Sequence, residues 1–209
     1  MFNGIVTEIG QITNVRPTKK EFKGKKGKRI RIKCKKVNFF KIKVGDSISV
    51  NGVCLTVIKN LFGFFDVEVS FETLSVTTGL DDKGPVNLEK ALSYGDKISG
   101  HLVSGHVDGV AKVSSLDLVG ESIKIIFSVP KRFARFISQK GSIAINGVSL
   151  TVNEVNDYED FCAFSINIIN HTFLNTTFNF VKKGDLVNFE VDLMARNLNR
   201  LLTEKNKLS

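Results

Sequence analysis

Cys54 and Ser149 are two nucleophile-type side chains that this sequence sets in matching places. Each is the fourth residue of a heptapeptide written twice, Asn51-Gly52-Val53-Cys54-Leu55-Thr56-Val57 and Asn146-Gly147-Val148-Ser149-Leu150-Thr151-Val152. The copies differ only at that fourth position. A thiol or hydroxyl there can attack a substrate, hydrogen-bond a developing charge, or simply pack. The three histidines are His101, His106 and His171, and a single histidine at the edge of a barrel pocket can serve as an acid–base group, since its charge changes near neutral pH. His101 and His106 stand five apart in His-Leu-Val-Ser-Gly-His. On a regular strand an odd spacing turns two side chains to opposite faces, so one metal held by both is disfavoured unless a bulge at Gly105 intervenes. Ser149 lacks the Gly-x-Ser-x-Gly elbow of a Ser-His-Asp hydrolase, and no glycine-rich dinucleotide or triphosphate fingerprint is present. Cys34, Cys54 and Cys162 are odd in number and form no Cys-x-x-Cys pair, which points to neither zinc nor disulfides. With no secretory leader and no apolar run long enough for a bilayer, the expected compartment is the reducing cytoplasm.

The elements that must position these residues are short strands. Ser47–Val50 and Ser142–Ile145 alternate in polarity before each heptapeptide, and Asn-Gly between alternating runs is the strongest short hairpin signal. Met1–Gly10 reads as a strand tied in from its first residue and ended by Val15-Arg16-Pro17. A basic loop, Lys19–Lys28, then precedes a strand over 29–37. Further strands at Cys54–Asn60 and Phe64–Phe71, with turns every eight to twelve residues, give the pattern of an all-β sandwich or barrel. The chain then repeats itself. Thr73 and Thr77-Thr78 recur as Thr172 and Thr176-Thr177, and Val86-Asn87-Leu88-Glu89 recurs as Val187-Asn188-Phe189-Glu190. Gly4-Ile5-Val6 matches Gly105-His106-Val107. Four landmarks kept in order at nearly constant offset mark an internal duplication. The expected domains are residues 1–97 and 98–192, followed by a segment 193–209. In that segment Met194, Leu198, Leu201 and Leu202 fall on one side of a helix.

Length and charge bound the rest. At 209 residues, the chain can form two small cores. A net charge of +9 raises a nucleic-acid reading, but much of the excess sits in Lys19–Lys36, where only Phe22 could stack on a base. A solvated loop and strand face is the better account of such a run.

Several of these segments together resemble riboflavin synthase of the alpha-chain type. They are Met-Phe-x-Gly-Ile-Val at the start, the repeated Asn-Gly-Val-x-Leu-Thr-Val, Gly-His-Leu-Val-Ser-Gly-His-Val in the linker, and Phe-Glu-Thr-Leu at 71–74. The resemblance runs from Met1 to about Leu202. It implies two tandem six-stranded Greek-key barrels and a C-terminal helix that gathers three chains into a trimer. It implies a cofactor-free and metal-free dismutation of two 6,7-dimethyl-8-ribityllumazine molecules to riboflavin and 5-amino-6-ribitylamino-uracil. It also implies that the first barrel of one subunit faces the second of a neighbour. Whether the trimer associates with lumazine synthase stays open, and neither nucleic acid nor membrane is an expected partner.

By the same resemblance, Cys54, His106, Ser149, Thr151, Asp192 and Phe2 match residues of the chemistry. Gly4, Ile5, Val6, Leu55, Thr56 and Thr73 match ligand contacts of a first pocket, and Gly105, Val107, Leu150 and Thr172 those of a second. Lys140 matches a ligand-contacting lysine. His106 is expected beside Ser149 and Thr151, with Asp192 near. The sequence departs from the family pattern at Asn3, where threonine is usual, at His171, where glutamate is usual, and in the shortened segment Gly79–Pro85. A rival expectation is a non-catalytic lumazine- or flavin-binding protein of the same fold. Such proteins lose the polar side chains that this sequence keeps.

Overall fold

The computed structural model describes residues 1–22, 24–35 and 42–208. They form two closed six-stranded antiparallel barrels. The first contains β1 (Glu8–Phe22), β2 (Lys25–Lys33), β3 (Ser47–Val50), β4 (Val53–Leu61), β5 (Phe64–Val69) and β6 (Gly84–Lys90), in the order β1-β2-β5-β4-β3-β6. The second contains β7 (Gly109–Val119), β8 (Ser122–Pro130), β9 (Ser142–Ile145), β10 (Val148–Asp157), β11 (Phe161–Ile169) and β12 (Leu186–Val191), with the same order of equivalent strands. Short helices α1 (Phe71–Val76) and α2 (Asn170–Asn175) follow the fifth strand of each barrel, and α3 (Leu193–Leu208) ends the described chain.

Period-two alternation explains each barrel. On β4, Val53, Leu55 and Val57 enter the core while Cys54 and Thr56 face outward; on β10, Val148, Leu150 and Val152 enter while Ser149 and Thr151 face outward. The register slips between Ile12 and Asn14 and between Val57 and Lys59. It slips at the matching places, Val113 to Ser115 and Val152 to Glu154, in the second barrel. Bulges at these two matching places in each barrel bend the sheet so that it closes on itself.

The two Asn-Gly turns meet between the barrels. Asn51, Gly52, Asn146 and Gly147 all have positive φ, as a type I′ turn requires. Asn51 Oδ1 accepts from Asn87 N–H at 2.8 Å and Asn146 Oδ1 from Asn188 N–H at 2.9 Å. The amides of those partners then cross over: Asn87 Nδ2 donates to Asn146 O at 2.9 Å and Asn188 Nδ2 to Asn51 O at 3.0 Å. All four asparagines are buried, and each bond satisfies a group that would otherwise cost about 1–3 kcal/mol unpaired. The asparagine of each Val-Asn-x-Glu motif thus joins the barrels.

Several expectations are corrected. The first strand starts at Glu8, not Met1; residues 1–7 are an extended strap with one bridge, Phe2 to Val103. Pro17 does not end β1, which runs on to Phe22 across a register irregularity between Pro17 and Glu21, where a residue without an N–H is tolerated. The second strand is Lys25–Lys33, so part of the expected loop is paired, and β5 stops at Val69 because Ser70 caps α1 through Thr73 N–H at 3.0 Å. The segment carrying His101 and His106 is a strap like residues 1–7, not a strand, and Gly105 turns it with φ +80°.

In the basic stretch, Arg31 makes a two-point ion pair with buried Asp66, Arg29 adds a third contact at 3.3 Å, and Lys28 meets Asp81. The guanidiniums hold the Asp66 carboxyl below its ordinary range against its burial. Lys36 lies outside the described residues.

Candidate functional site

The two straps cross. Residues 1–7 precede the first barrel, yet Ser149 N–H donates to Gly4 O at 2.8 Å and Val6 packs on the core of the second barrel. Residues 102–108 precede the second barrel, yet Cys54 N–H donates to Gly105 O at 2.8 Å and Val107 packs on the core of the first. Gly4 and Gly105 have φ of +76° and +80°, and a Cβ built on them would stand 2.5 Å from Ser149 Cβ and 2.6 Å from Cys54 Cβ. Glycine is required at both places for its backbone angle and for its missing side chain.

Two half-sites result. One gathers Gly4, Ser149 and Thr151 with His101; the other gathers Gly105, Cys54 and Thr56. This redistributes the expected pockets: Gly4 and Val6 belong with Ser149, and Gly105 and Val107 with Cys54. The imidazole on Ser149 is His101, with Nδ1 to Oγ at 2.7 Å, and not His106. Burial lowers the His101 pKa against the charges of Asp192 and Glu190, so the ring favours its neutral form. A neutral imidazole on a hydroxyl can exchange a proton with it.

His106 is exposed. It lines a cleft of about 570 Å³ with Ser104, Val107, Asp108, Glu190, Val191, Leu193 and Arg196. Asp192 accepts from Met194 N–H at 2.8 Å and so caps α3, while its charge reaches His101.

Other assigned residues fall into place or out of it. Phe2 is fully buried between the straps with Val103 and Ala144. Cys54 packs against this cluster, so Phe2 ties the straps to the half-site. Leu55 and Leu150 face the barrel cores, so only their backbones are available outside. Thr56 and Thr151 are exposed on the outer face, and Thr73 and Thr172 lie half-buried on α1 and α2. Lys140 is exposed at a left-handed turn, φ +66°, where its N–H donates to Val152 O at 2.7 Å. His171 is exposed on α2. Of the cysteines, Cys34 and Cys162 are buried and their thiols are pushed up to about 11, chiefly by that burial; Cys54 alone reaches the surface.

Sequence reasoning missed the role of His101. Its only signal was the histidine pair itself, and the strap geometry that separates the two is set by long-range contacts. It also passed over Glu89 and Glu190, which it had noticed only as landmarks of the repeat.

Comparison with known proteins follows this architecture. A model of the lumazine binding domain matches residues 3–91 and again 104–192. The riboflavin synthase of Photobacterium phosphoreum is 39% identical over 204 residues, 97% of this chain and 89% of that protein. Those of Saccharomyces cerevisiae and Bacillus subtilis are 38% and 34% identical, over 100% and 99% of this chain and 90% and 92% of theirs. Among solved structures, LumP complexed with riboflavin superposes with a TM-score of 0.77 at 26% identity, covering 91% of this chain and 99% of that one. LumP complexed with 6,7-dimethyl-8-(1'-D-ribityl) lumazine gives 0.75 at 25% identity, with the same coverage. By its two matched domains and its full-length relatives, the chain belongs to the riboflavin synthase family.

Proposed function

We propose that this protein is a riboflavin synthase. It converts two molecules of 6,7-dimethyl-8-ribityllumazine into riboflavin and 5-amino-6-ribitylamino-uracil, one molecule giving a four-carbon unit to the other. The observation that carries this reading is the pair of crossed half-sites. A reaction between two copies of one substrate calls for two related sites, and duplicated barrels with reciprocal straps offer them. Holding two reactants in register can supply roughly 7–11 kcal/mol of the barrier. The chemistry asked of the side chains is removal of an acidified methyl proton and stabilisation of charge. The Ser149–His101 pair is suited to the first, and the outward hydroxyls of Thr56 and Thr151 to hydrogen-bonding a polar ring. Cys54, His106 and Asp192 complete the polar set.

Both half-sites lie open on the outer barrel surface, and α3 leaves Met194, Leu198, Leu201 and Leu202 more than half exposed. We read α3 as the contact that gathers three chains and brings the first barrel of one against the second of its neighbour, in the cytoplasm. Deleting the chain from Met194 onward should then give a folded, lumazine-binding monomer with little turnover; a truncated protein that sedimented as a trimer would refute this.

The test of function is incubation of the purified chain with 6,7-dimethyl-8-ribityllumazine and no additive. One riboflavin should appear per two lumazines consumed. The likeness to LumP favours a second reading, a binding protein without turnover, which predicts tight lumazine binding and no riboflavin.

A further inference from the structure

The glutamate of each Val-Asn-x-Glu motif is left without a task by the reading above, and its surroundings are unusual for a carboxylate. Glu89 is 5% exposed at the end of β6, and Glu190 is 5% exposed at the end of β12. Glu89 accepts from Asn3 N–H at 2.8 Å and from Gly4 N–H at 3.1 Å, one on each oxygen. Glu190 accepts from Ser104 N–H at 2.7 Å and from Gly105 N–H at 2.9 Å, again one on each oxygen. The next link is also duplicated. Asn3 Oδ1 accepts from Ile5 N–H at 3.0 Å, and Ser104 Oγ, itself donating to Glu190 at 2.7 Å, accepts from His106 N–H at 3.3 Å. Asn3, a departure from the family pattern, therefore does with an amide oxygen what Ser104 does with a hydroxyl.

We propose that Glu89 and Glu190 are positioning residues, each holding the strap that its barrel sends across to wall the other barrel's half-site. The energetics support this. A buried carboxylate is costly unless it receives strong donors, and here the donors are backbone amides that need an acceptor as much as the carboxylate needs them. The geometry supports it too. The held residues, Gly4 and Gly105, are the ones whose carbonyls accept from Ser149 and Cys54 N–H. A strap released by its glutamate would loosen its seat against the nucleophile-type residue. This inference rests on the reading of the straps as substrate-facing walls.

Burial pushes the Glu89 carboxyl up to about 7, against the pull of the Asn3, Gly4 and Ile5 amides and of the Met1 ammonium. Its cross-strand neighbour on β3 is the uncharged Ser49, and β1 brings Glu8 only opposite Leu88. The carboxyl is raised only while the strap buries it, so ionisation favours the open strap and the seat at Asn3 loosens as pH rises through neutrality.

The experiment uses the full chain as Glu89→Gln, Glu190→Gln and Ser104→Ala. It measures backbone amide hydrogen exchange over residues 3–5 and 104–106 without ligand, and lumazine KM and kcat from pH 5.5 to 8.5. Each glutamine variant should speed exchange in its own strap and not in the other. It should raise KM about tenfold, the cost of one charge-assisted hydrogen bond replaced by a poorer contact. The pH dependence of exchange at Asn3 and Gly4, beyond that of free amides, should vanish in Glu89→Gln and persist in Glu190→Gln. Ser104→Ala keeps the carboxylate–amide bonds and so folds even if the glutamine variants do not. It should quicken exchange at His106 and raise KM less. Unchanged exchange in both straps, or faster exchange with unchanged KM and kcat, would overturn the proposal. If the parent protein forms no riboflavin, the functional reading fails while the exchange data still decide whether the glutamates hold the straps.

Discussion

The half-site around Ser149 and the half-site around Cys54 share a backbone plan and differ in what stands beside the variable residue. Each has an outward residue on the fourth strand, a strap crossing from the other barrel, a left-handed glycine at the crossing and a glutamate behind it. Beside Ser149 stands a half-buried imidazole at 2.7 Å. Beside Cys54 the equivalent strap continues into His106, which turns outward to a cleft shared with α3. Duplication copied the frame, and the segment before the second strap brings the imidazole of His101 to Ser149. The difference teaches that the two sites are alike in shape and unlike in proton chemistry, as a donor and an acceptor of one reaction would be.

The most severe way to break the comparison is to unseat a strap. Gly4→Ala and Gly105→Ala each force a Cβ within 2.8 Å of a backbone nitrogen at an angle that alanine avoids. Each should cost roughly 2–3 kcal/mol of stability or displace the strap. If the frames are equivalent, thermal melts of the two variants should fall together; a loss in only one would show that one crossing is dispensable.

Removing the variable residue asks about chemistry instead of frame. Ser149→Ala leaves His101 without its partner and should lower kcat at least tenfold with lumazine affinity little changed, the mark of a contact used in the transition state. Cys54→Ser keeps a polar atom and should fall by less. Equal effects on kcat in steady-state kinetics would erase the distinction between the sites.

The pH dependence of stability separates the anchors from the acid–base group. The pKa of Glu89 is raised when folded, to about 7 from an ordinary 4.5, so its contribution is present below 4.5 and is lost as pH rises through 7. The pKa of His101 is lowered from 6.5, so the folded state resists its protonation and stability is lost as pH falls below that value. Between pH 5 and 7 the two oppose one another. Denaturant melts of Glu89→Gln should therefore lose stability on acidification more steeply than the parent, and those of His101→Asn should gain it, by on the order of 1 kcal/mol across the window. Parallel curves for all three would show that neither group titrates differently on folding. At the small end, Asp81→Asn breaks the exposed Lys28 pair of the first barrel and should shift stability by less than about 0.5 kcal/mol.

The duplicated barrels were legible because their signals are local. Alternation, the Asn-Gly turns and the spacing of Thr73 and Thr172 each lie within a few residues. The outward placement of Cys54, Thr56, Ser149 and Thr151 follows from the same alternation. The crossing of the straps was not legible. It depends on Gly4 reaching Ser149 and Gly105 reaching Cys54, contacts with no periodic trace in sequence. For the same reason the burial of Phe2 between the straps was not legible. The short helices α1 and α2 escaped notice because six residues leave no periodic stripe.

The crossing also orders events during synthesis. Gly4 leaves the ribosome before its partner Ser149, which follows about 145 residues later. At roughly 5–20 residues per second this is a wait of about 7–30 s. The first barrel can close its six strands in that interval and Glu89 can hold Asn3 and Gly4, but Val6 and the part of Phe2 that meets Val103 and Ala144 stay uncovered until the rest of the chain arrives. A nascent chain stalled before β10 would therefore present a sticky leading end to chaperones, and a full-length one would bury it in the last step of maturation.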